Sequence, residues 1–348
     1  MSSMTVAVIF GGCSSEYSVS LESAAGVLSH LNRERVTPVL LGITPEGDWY
    51  HYTGNLDRIA CDTWQGADCV PAMLSPSRRR HEVLVLHPEG VEHIPIDVVL
   101  PILHGRNGED GTVQGLCELA GIPVAGCGTL SSALCMDKLR AHRLVSLTGI
   151  RVPQSVELTA GHRPEQLLEA ARKLGYPLFV KPVRAGSSWG ITRVTEPGSL
   201  EAAVTEAFRY DSRVLLEEAI PGFEVGCAVL GNERLTLGEL DEIELAGGFF
   251  NFTEKYQLLS AKIHVPARIS EESEAALKAA ARTVYRALDC RGFARVDFFL
   301  TPDEEIVFNE VNTIPGFTPH SRFPAMMAAA DMPYDAVLEE ILRLAVTK

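Results

Sequence analysis

Arg295-Val296-Asp297 and Asn309-Glu310-Val311-Asn312 are the residues whose types and spacing most directly suggest chemistry. In an extended strand, side chains two positions apart point to the same face. Arg295 and Asp297 therefore share a face, as do Glu310 and Asn312. Between the two pairs lies Thr301-Pro302-Asp303-Glu304-Glu305, a polar segment of turn formers. A hairpin folded about Asp303 and Glu304 sets Asp297 opposite Glu310 and Arg295 opposite Asn312. Facing carboxylates repel across a sheet, so the pairing makes sense around a cation. Mg2+ is the natural occupant, because it takes oxygen ligands and commonly combines one or two carboxylates with phosphate oxygens. The bland alternative is a solvated hairpin with scattered charges. The apolar flanks Gly292-Phe293-Ala294, Phe298-Phe299-Leu300 and Ile306-Val307-Phe308 speak against it.

A second group of residues suits phosphate. Gly186-Ser187-Ser188-Trp189-Gly190 falls between two apolar runs, and such a loop can aim N–H groups and hydroxyls at an anion. It lacks the G-K-[S/T] that opens a helix in a P-loop, and by itself it is more often an ordinary hairpin. Lys181 ends the run Leu178-Phe179-Val180, where a point charge beside a phosphate loop is a sensible pairing, and Lys138 could play the same part. Together with a carboxylate pair for Mg2+, these residues suggest an ATP site without a P-loop. Glu217-Glu218 is either a solvated strand end or a holder of adenine and ribose. Glu16 either binds a substrate ammonium or caps a helix, and a lone loop histidine such as His104 is more often structural.

The elements that must position these residues follow from the pattern of the chain. Thr5–Phe10, Val36–Leu41 and Val98–Leu103 read as strands, with helices at Val19–Leu31 and Thr112–Ala120. Strands alternating with helices predict a doubly wound parallel sheet. Its ligands sit at the carboxyl ends of the strands, where Gly11–Glu16 and His104–Gly111 fall. Further on, Pro164–Leu174, Glu271–Leu288 and Pro333–Val346 read as helices, and Tyr176–Pro182, Gly190–Val194 and Arg213–Glu217 as strands. The stretch from Ala246 to Leu259 is rich in glycine and aromatics, as suits a lid.

The 348 residues suffice for two or three domains with real cores. A net charge of −14 argues against nucleic acid as a partner. There is no apolar run of about 18 residues to span a membrane. The first ten residues lack the basic start of a signal peptide and read as a strand. Eight scattered cysteines without a C-x-x-C pair read as small buried residues of a reduced, cytoplasmic protein.

The stretches GGCSSEYSVS, LHGRNGEDGTVQG, MDK, FVKPVRAGSSWGI, EEAIPGFEVG, TEKY, RVDFF and NEVNTIPGFTPHSR occur in this order. With them the chain resembles the D-alanine–D-alanine ligases of the ATP-grasp superfamily over essentially its whole length. Within that family it is most similar to ligases that add D-serine in vancomycin-resistance systems, on the strength of EKYQLLSAKI and GFTPHSRFP.

The resemblance implies an α/β ATP-grasp fold. Residues 1–137 would form an N-terminal domain holding the first D-alanine. Residues 138–220 and 221–348 would form two α+β subdomains that sandwich ATP, the last carrying the lid and the Mg2+ site. It implies that Lys138, Lys181, Ser188, Glu217, Glu218, Ile220, Glu224 and Lys255 line the ATP site. Asp297, Glu310 and Asn312 would hold two Mg2+ ions, with Mn2+ an acceptable substitute. Arg295 and the Gly316 N–H would steady the acyl phosphate and the oxyanion. Glu16, near His104, would receive the ammonium of D-alanine and form a closing triad with Ser187 and Tyr256. Asp241, Phe250, Ser321 and Arg322 would shape the site of the second amino acid.

The implied product is D-alanyl-D-serine or D-alanyl-D-alanine for the cell wall, made through D-alanyl phosphate. Tyr256 stands where D-lactate-adding relatives carry histidine. Arg322 stands where D-alanine-adding relatives tend to carry leucine. D-serine is therefore the favoured acceptor, and a housekeeping ligase with little use for D-serine is the alternative. A different carboxylate–amine ligase fits Glu16 and the His104 loop less well, and a non-catalytic nucleotide-binding scaffold would not need every charged group. A homodimer is implied by the resemblance alone.

Overall fold

The computed structural model describes residues 3–186, 188–245, 261–318 and 320–347. Ser187, Phe250, Lys255 and Tyr256, named above for the site and the lid, lie outside the described residues.

The first unit begins with β1 (Met4–Gly11), α1 (Tyr17–His30), β2 (Val36–Ile43), β3 (Trp49–Tyr52) and α2 (Asp57–Ala60). It continues through β4 (Cys69–Leu74), β5 (Glu82–His87), β6 (Gly90–Pro95), β7 (Val98–Ile102), α3 (Thr112–Ala120) and α4 (Thr129–Met136). The sheet order is β6-β5-β4-β3-β2-β1-β7. β1 pairs in parallel with β2 and β7. Val6, Val8 and Phe10 of β1 pack with Leu21 and Val27 of α1, while Ala7 and Ile9 pack with Val113 and Cys117 of α3. Helices on both faces make this the expected doubly wound core, with Gly11 and Ile102 ending β1 and β7 beside the two predicted ligand loops. β3 to β6 extend the sheet by antiparallel hairpins.

The second unit is built from α5 (Lys138–Ser146), β8 (Ser155–Thr159), α6 (Pro164–Leu174), β9 (Leu178–Pro182), β10 (Thr192–Val194), α7 (Leu200–Ala207) and β11 (Arg213–Glu218). Its four strands run antiparallel in the order β10-β9-β11-β8. Leu167, Ala170 and Ala171 of α6 and Leu200, Val204 and Ala207 of α7 cover one core.

The third unit holds β12 (Phe223–Gly231), β13 (Leu235–Leu245), β14 (Ala261–His264), α8 (Glu271–Ala287), β15 (Phe293–Leu300), β16 (Ile306–Asn312), α9 (Arg322–Ala329) and α10 (Tyr334–Val346). Its sheet is antiparallel in the order β14-β13-β12-β15-β16. Ala294, Val296, Phe298 and Leu300 point into a core under α8. The period of two then places Arg295 and Asp297 on the opposite face. Cys117, Cys127, Cys135, Cys227 and Cys290 are buried thiols, whereas Cys13 and Cys61 are exposed.

Candidate active site

The hairpin register is the one the sequence predicts: Arg295 lies opposite Asn312 and Asp297 opposite Glu310. The chain turns where Glu304 N–H donates to Thr301 O (2.9 Å) and Thr301 N–H to Glu305 O (3.0 Å). A register shift follows Asp297, so that Phe298 pairs with Phe308 and Asn309 is the extra residue of a bulge. The bulge lets Phe308 and Val311 both enter the core while Glu310 and Asn312 share the site face.

Asp297 is wholly buried. Arg295 Nε donates to its Oδ1 at 2.8 Å, Arg295 Nη2 to its Oδ2 at 2.8 Å, and Asn312 Nδ2 to the same oxygen at 2.8 Å. Two carboxylates and an amide oxygen on one face are hard donors that fit Mg2+. Among the described residues, no group of three or more His, Cys, Asp and Glu side chains converges on its own. A divalent ion here would therefore draw the rest of its shell from phosphate oxygens and water.

Two cavities flank the hairpin. One, of about 340 Å³, is lined by Lys138, Lys181, Ser188, Glu217, Glu218, Ile220 and Glu224, which are all the described residues predicted to hold ATP. Lys181 on β9 forms an ion pair with Glu217 on the neighbouring β11. Glu218 accepts from Gln154 N–H at 2.8 Å and faces Arg151. Lys138 opens α5, whose N-cap Asp137 accepts from Arg140 N–H at 3.0 Å. Its ammonium donates to Ala185 O at 2.9 Å and lies 3.2 Å from Glu310 Oε2.

The other cavity, of about 190 Å³, is walled by Glu16, His104, Arg295, Gly316, Ser321 and Arg322 among others. Lys138 and Glu310 line both cavities and stand where they meet. Glu16 is buried immediately before α1, and a Cβ on Gly186 would come within 2.6 Å of its Oε2. Glycine lets the loop after β9 approach that carboxylate this closely, and a side chain there would push the Glu16 carboxylate aside. Ser321 precedes α9, and its Oγ accepts from Thr318 N–H at 3.0 Å. The positive end of α9 thus faces the cavity.

His104 has both ring nitrogens engaged. Nδ1–H donates to Ile314 O at 3.0 Å, so in the neutral ring Nε2 accepts from Ser23 Oγ at 3.2 Å. Burial pushes its pKa down, which keeps that neutral form. His104 therefore ties the β7 loop to the Ile314 loop. Asp241 is wholly buried beneath Arg322 and reaches the cavity through that guanidinium.

Two site residues escaped the sequence reading. Glu109 lines the second cavity and accepts from Gly105 N–H (2.8 Å) and Ile314 N–H (3.1 Å). Its signal was an acid inside the glycine-rich loop where only His104 was singled out. His142 sits one turn after Lys138, an i, i+4 spacing on one helical face. It donates from Nε2 to Asn309 O (2.8 Å) and faces Glu217.

Burial, reinforced by the Glu16 charge, pushes the Glu109 carboxyl up from 4.5 to about 8, against the pull of its two N–H donors. The contribution of a raised carboxyl is fully present below 4.5 and is lost as pH rises through about 8. Relative to Glu109→Gln, the wild-type protein without substrate should therefore melt at progressively lower temperature across that window. Melting curves that stay parallel at every pH would exclude the raised carboxyl.

Two antiparallel α+β sheets closing on a nucleotide-sized cleft, with a carboxylate hairpin between it and a small polar cavity, define an ATP-grasp carboxylate–amine ligase. The chain belongs to the D-alanine–D-alanine ligase family. The models for the family's N-terminus and C-terminus match residues 5–127 and 144–343. The crystal structure of VanG D-Ala:D-Ser ligase from Enterococcus faecalis is 52% identical, with a TM-score of 0.92 over 99% of this chain and 100% of that one. The vancomycin B-type resistance protein VanB from Enterococcus faecalis is 45% identical over 100% of both chains. A D-alanine–D-alanine ligase from Caldicellulosiruptor bescii is 39% identical over 100% of this chain and 96% of its own. The protein is thus an ATP-dependent ligase of D-amino acids, of the family that uses a divalent metal. Among the described residues, no helix is long and apolar enough to cross a membrane.

Proposed function

We propose that this ligase makes D-alanyl-D-serine, through D-alanyl phosphate, for cell-wall precursors in the cytoplasm. The observation that carries the reading is the common wall of the two cavities. Lys138 and Glu310 belong to both, so a phosphoryl group at the end of the nucleotide cleft reaches a carboxylate held in the smaller cavity.

Glu16 binds the ammonium of the first D-alanine and leaves its carboxylate pointing at the γ-phosphate. Lys138, Lys181 and Arg295 offset the charge of the transferring phosphoryl, a transfer that rests on position and electrostatics. The neutral amine of the second amino acid attacks the acyl carbon, the C–O bond to the phosphoryl group breaks, and inorganic phosphate leaves with the amine proton as the dipeptide forms. The Gly316 N–H and Arg295 hold the oxyanion, and the positive end of α9 with Ser321 holds the acceptor carboxylate. Asp297, Glu310 and Asn312 would hold two Mg2+ ions, or Mn2+, which supply Lewis-acid charge to the phosphates. Ser187 and Tyr256, completing the triad with Glu16, and Lys255 and Phe250 at the ATP and acceptor sites, complete this reading. Residues 1–137, 138–220 and 221–348 are its three domains, and two chains form a homodimer.

D-serine is favoured because Arg322 lines the cavity wall. Its Nη1 gives one N–H to Glu224 (2.8 Å), which leaves the other for a hydroxyl. A site that bonds a hydroxyl disfavours the analogue lacking it. The second reading, a housekeeping D-alanine–D-alanine ligase, draws on the Caldicellulosiruptor relative. Incubation with ATP, Mg2+, D-alanine and equimolar D-serine, read by mass spectrometry, decides between them. D-alanyl-D-serine in excess is expected, and a predominance of D-alanyl-D-alanine would overturn the D-serine assignment.

A further inference from the structure

Gly226 lies in the middle strand of three. On β12 it stands opposite Asp241 of β13 and opposite Asp297 of β15. Two wholly buried carboxylates therefore flank a residue without a side chain, and Arg322 reaches over it from the first position of α9. Arg322 Nε and Nη2 meet Asp241 at 2.5 and 2.7 Å. Nη1 meets Glu224 at 2.8 Å, and Nη2 lies 3.4 Å from Asp297 Oδ1. One guanidinium thus serves a carboxylate beneath it, a carboxylate of the nucleotide cleft and a carboxylate of the predicted metal site.

A Cβ on Gly226 would stand 2.4 Å from Arg322 Nη2, 2.5 Å from Asp241 Oδ1 and 3.0 Å from Asp297 Oδ1. The φ of Gly226 lies outside the left-handed region, so the glycine is required for space and not for backbone conformation. Its N–H donates to Asp241 Oδ1 at 2.9 Å, which aims that carboxylate at the arginine. Burial alone would raise the Asp241 carboxyl, but Arg322 holds it below the usual carboxylate range.

We propose that Gly226 is a positioning residue: its missing side chain is the seat of Arg322. Through that seat the residue at 226 governs both the acceptor wall of the cavity and the charge felt by a divalent ion at Asp297. The metal half of this inference rests on the reading of Asp297 as a metal ligand. The acceptor half rests only on Arg322 lining the cavity. A guanidinium fixed 3.4 Å from Asp297 repels a second cation there, so its removal tightens metal binding.

The test is a double-mutant cycle. Gly226→Ala is placed in the wild-type protein and in Arg322→Leu/Asp241→Asn, where the guanidinium and its buried partner are removed together. Mn2+ binding with saturating ADP is followed by electron paramagnetic resonance, and the KM for D-serine and for ATP is measured in each protein. In the wild-type background, Gly226→Ala should raise the D-serine KM roughly tenfold and leave the ATP KM within about threefold. In the arginine-free background the same alanine should change the D-serine KM less than about twofold. Mn2+ should bind roughly threefold or more tightly to Arg322→Leu/Asp241→Asn than to Asp241→Asn, which lacks the same carboxylate but keeps the guanidinium.

An equal effect of the alanine in both backgrounds would overturn the seat, as would an arginine-free protein that folds only with glycine at 226. If Gly226→Ala alone fails to fold but the combined variant folds, the seat is upheld. Equal Mn2+ affinity in Asp241→Asn and Arg322→Leu/Asp241→Asn would overturn the metal half. Wild type that binds no Mn2+ with ADP would instead overturn the reading of Asp297, and the D-serine KM would still decide the seat.

Discussion

Glu310→Gln abolishes phosphate release with ATP, Mg2+ and D-alanine while the protein keeps its fold: that is the largest change in activity expected of any single substitution here. The carboxylate stands opposite Asp297, lies 3.2 Å from the Lys138 ammonium, and lines both cavities. Glutamine keeps its size and one oxygen but removes the charge. A loss in kcat on the order of 10²–10³-fold follows where one fixed electrostatic partner of a transferring group is removed. Phosphate release and a circular dichroism melt on the same sample check it. Activity near wild type would remove the metal reading of the hairpin, and an unfolded variant would show the ion pair with Lys138 to be structural.

Arg322→Leu should have the largest effect on stability. It strips the partner from wholly buried Asp241 and loosens Glu224 and Asp297. Breaking a buried pair from one side costs about 3–5 kcal/mol, because the remaining charge is left uncompensated. Adding Asp241→Asn should restore much of that loss. On the activity side, the serine-to-alanine product ratio should fall. Thermal melts and the competition assay read the two effects separately. An unchanged product ratio would take Arg322 out of acceptor choice, and a single variant as stable as wild type would mean the guanidinium contributes little to holding Asp241.

The hairpin was legible to the residue because two patterns coincide in it. The apolar set Ala294, Val296, Phe298 marks one face, and the charged set Arg295, Asp297 marks the other. Of the residues expected to hold ATP, Lys138, Lys181 and Glu217 stood out locally as a helix start and strand ends, whereas Ile220 and Glu224 came only with the family resemblance. Glu109 was not, because its role depends on Ile314, 205 positions away, which no local pattern reveals. His142 was missed for the same reason, since Asn309 is 167 positions off. β3 to β6 escaped because short, half-exposed strands carry weak alternation, and the edge strand Gly90–Pro95 is nearly all exposed. α4 escaped because TLSSALCM buries Ser131 and Ser132 with Cys135, so it shows no polar face. Asp241 read as a pocket residue, yet a carboxylate can shape a pocket from below through the arginine it holds.

The largest core does not respect the division of the chain. Val8 and Phe10 of β1 and Leu21 and Leu28 of α1 belong to one continuous cluster with Leu230, Phe293, Phe323, Met326, Leu338 and Ile341 of the third unit. The middle sheet keeps a core of its own, and a small contact of Leu139, Val183 and Leu215 joins it to α5. The first and third units are thereby mechanically one body. A rotation that opened them against each other would expose apolar surface across the cluster, whereas the middle sheet can swing with its interior intact. Opening of the nucleotide cleft is then expected to take the form of one small jaw travelling over a fixed block. In hydrogen exchange, β1 and β15 should open together in one cooperative event, with β9 and β11 opening in another.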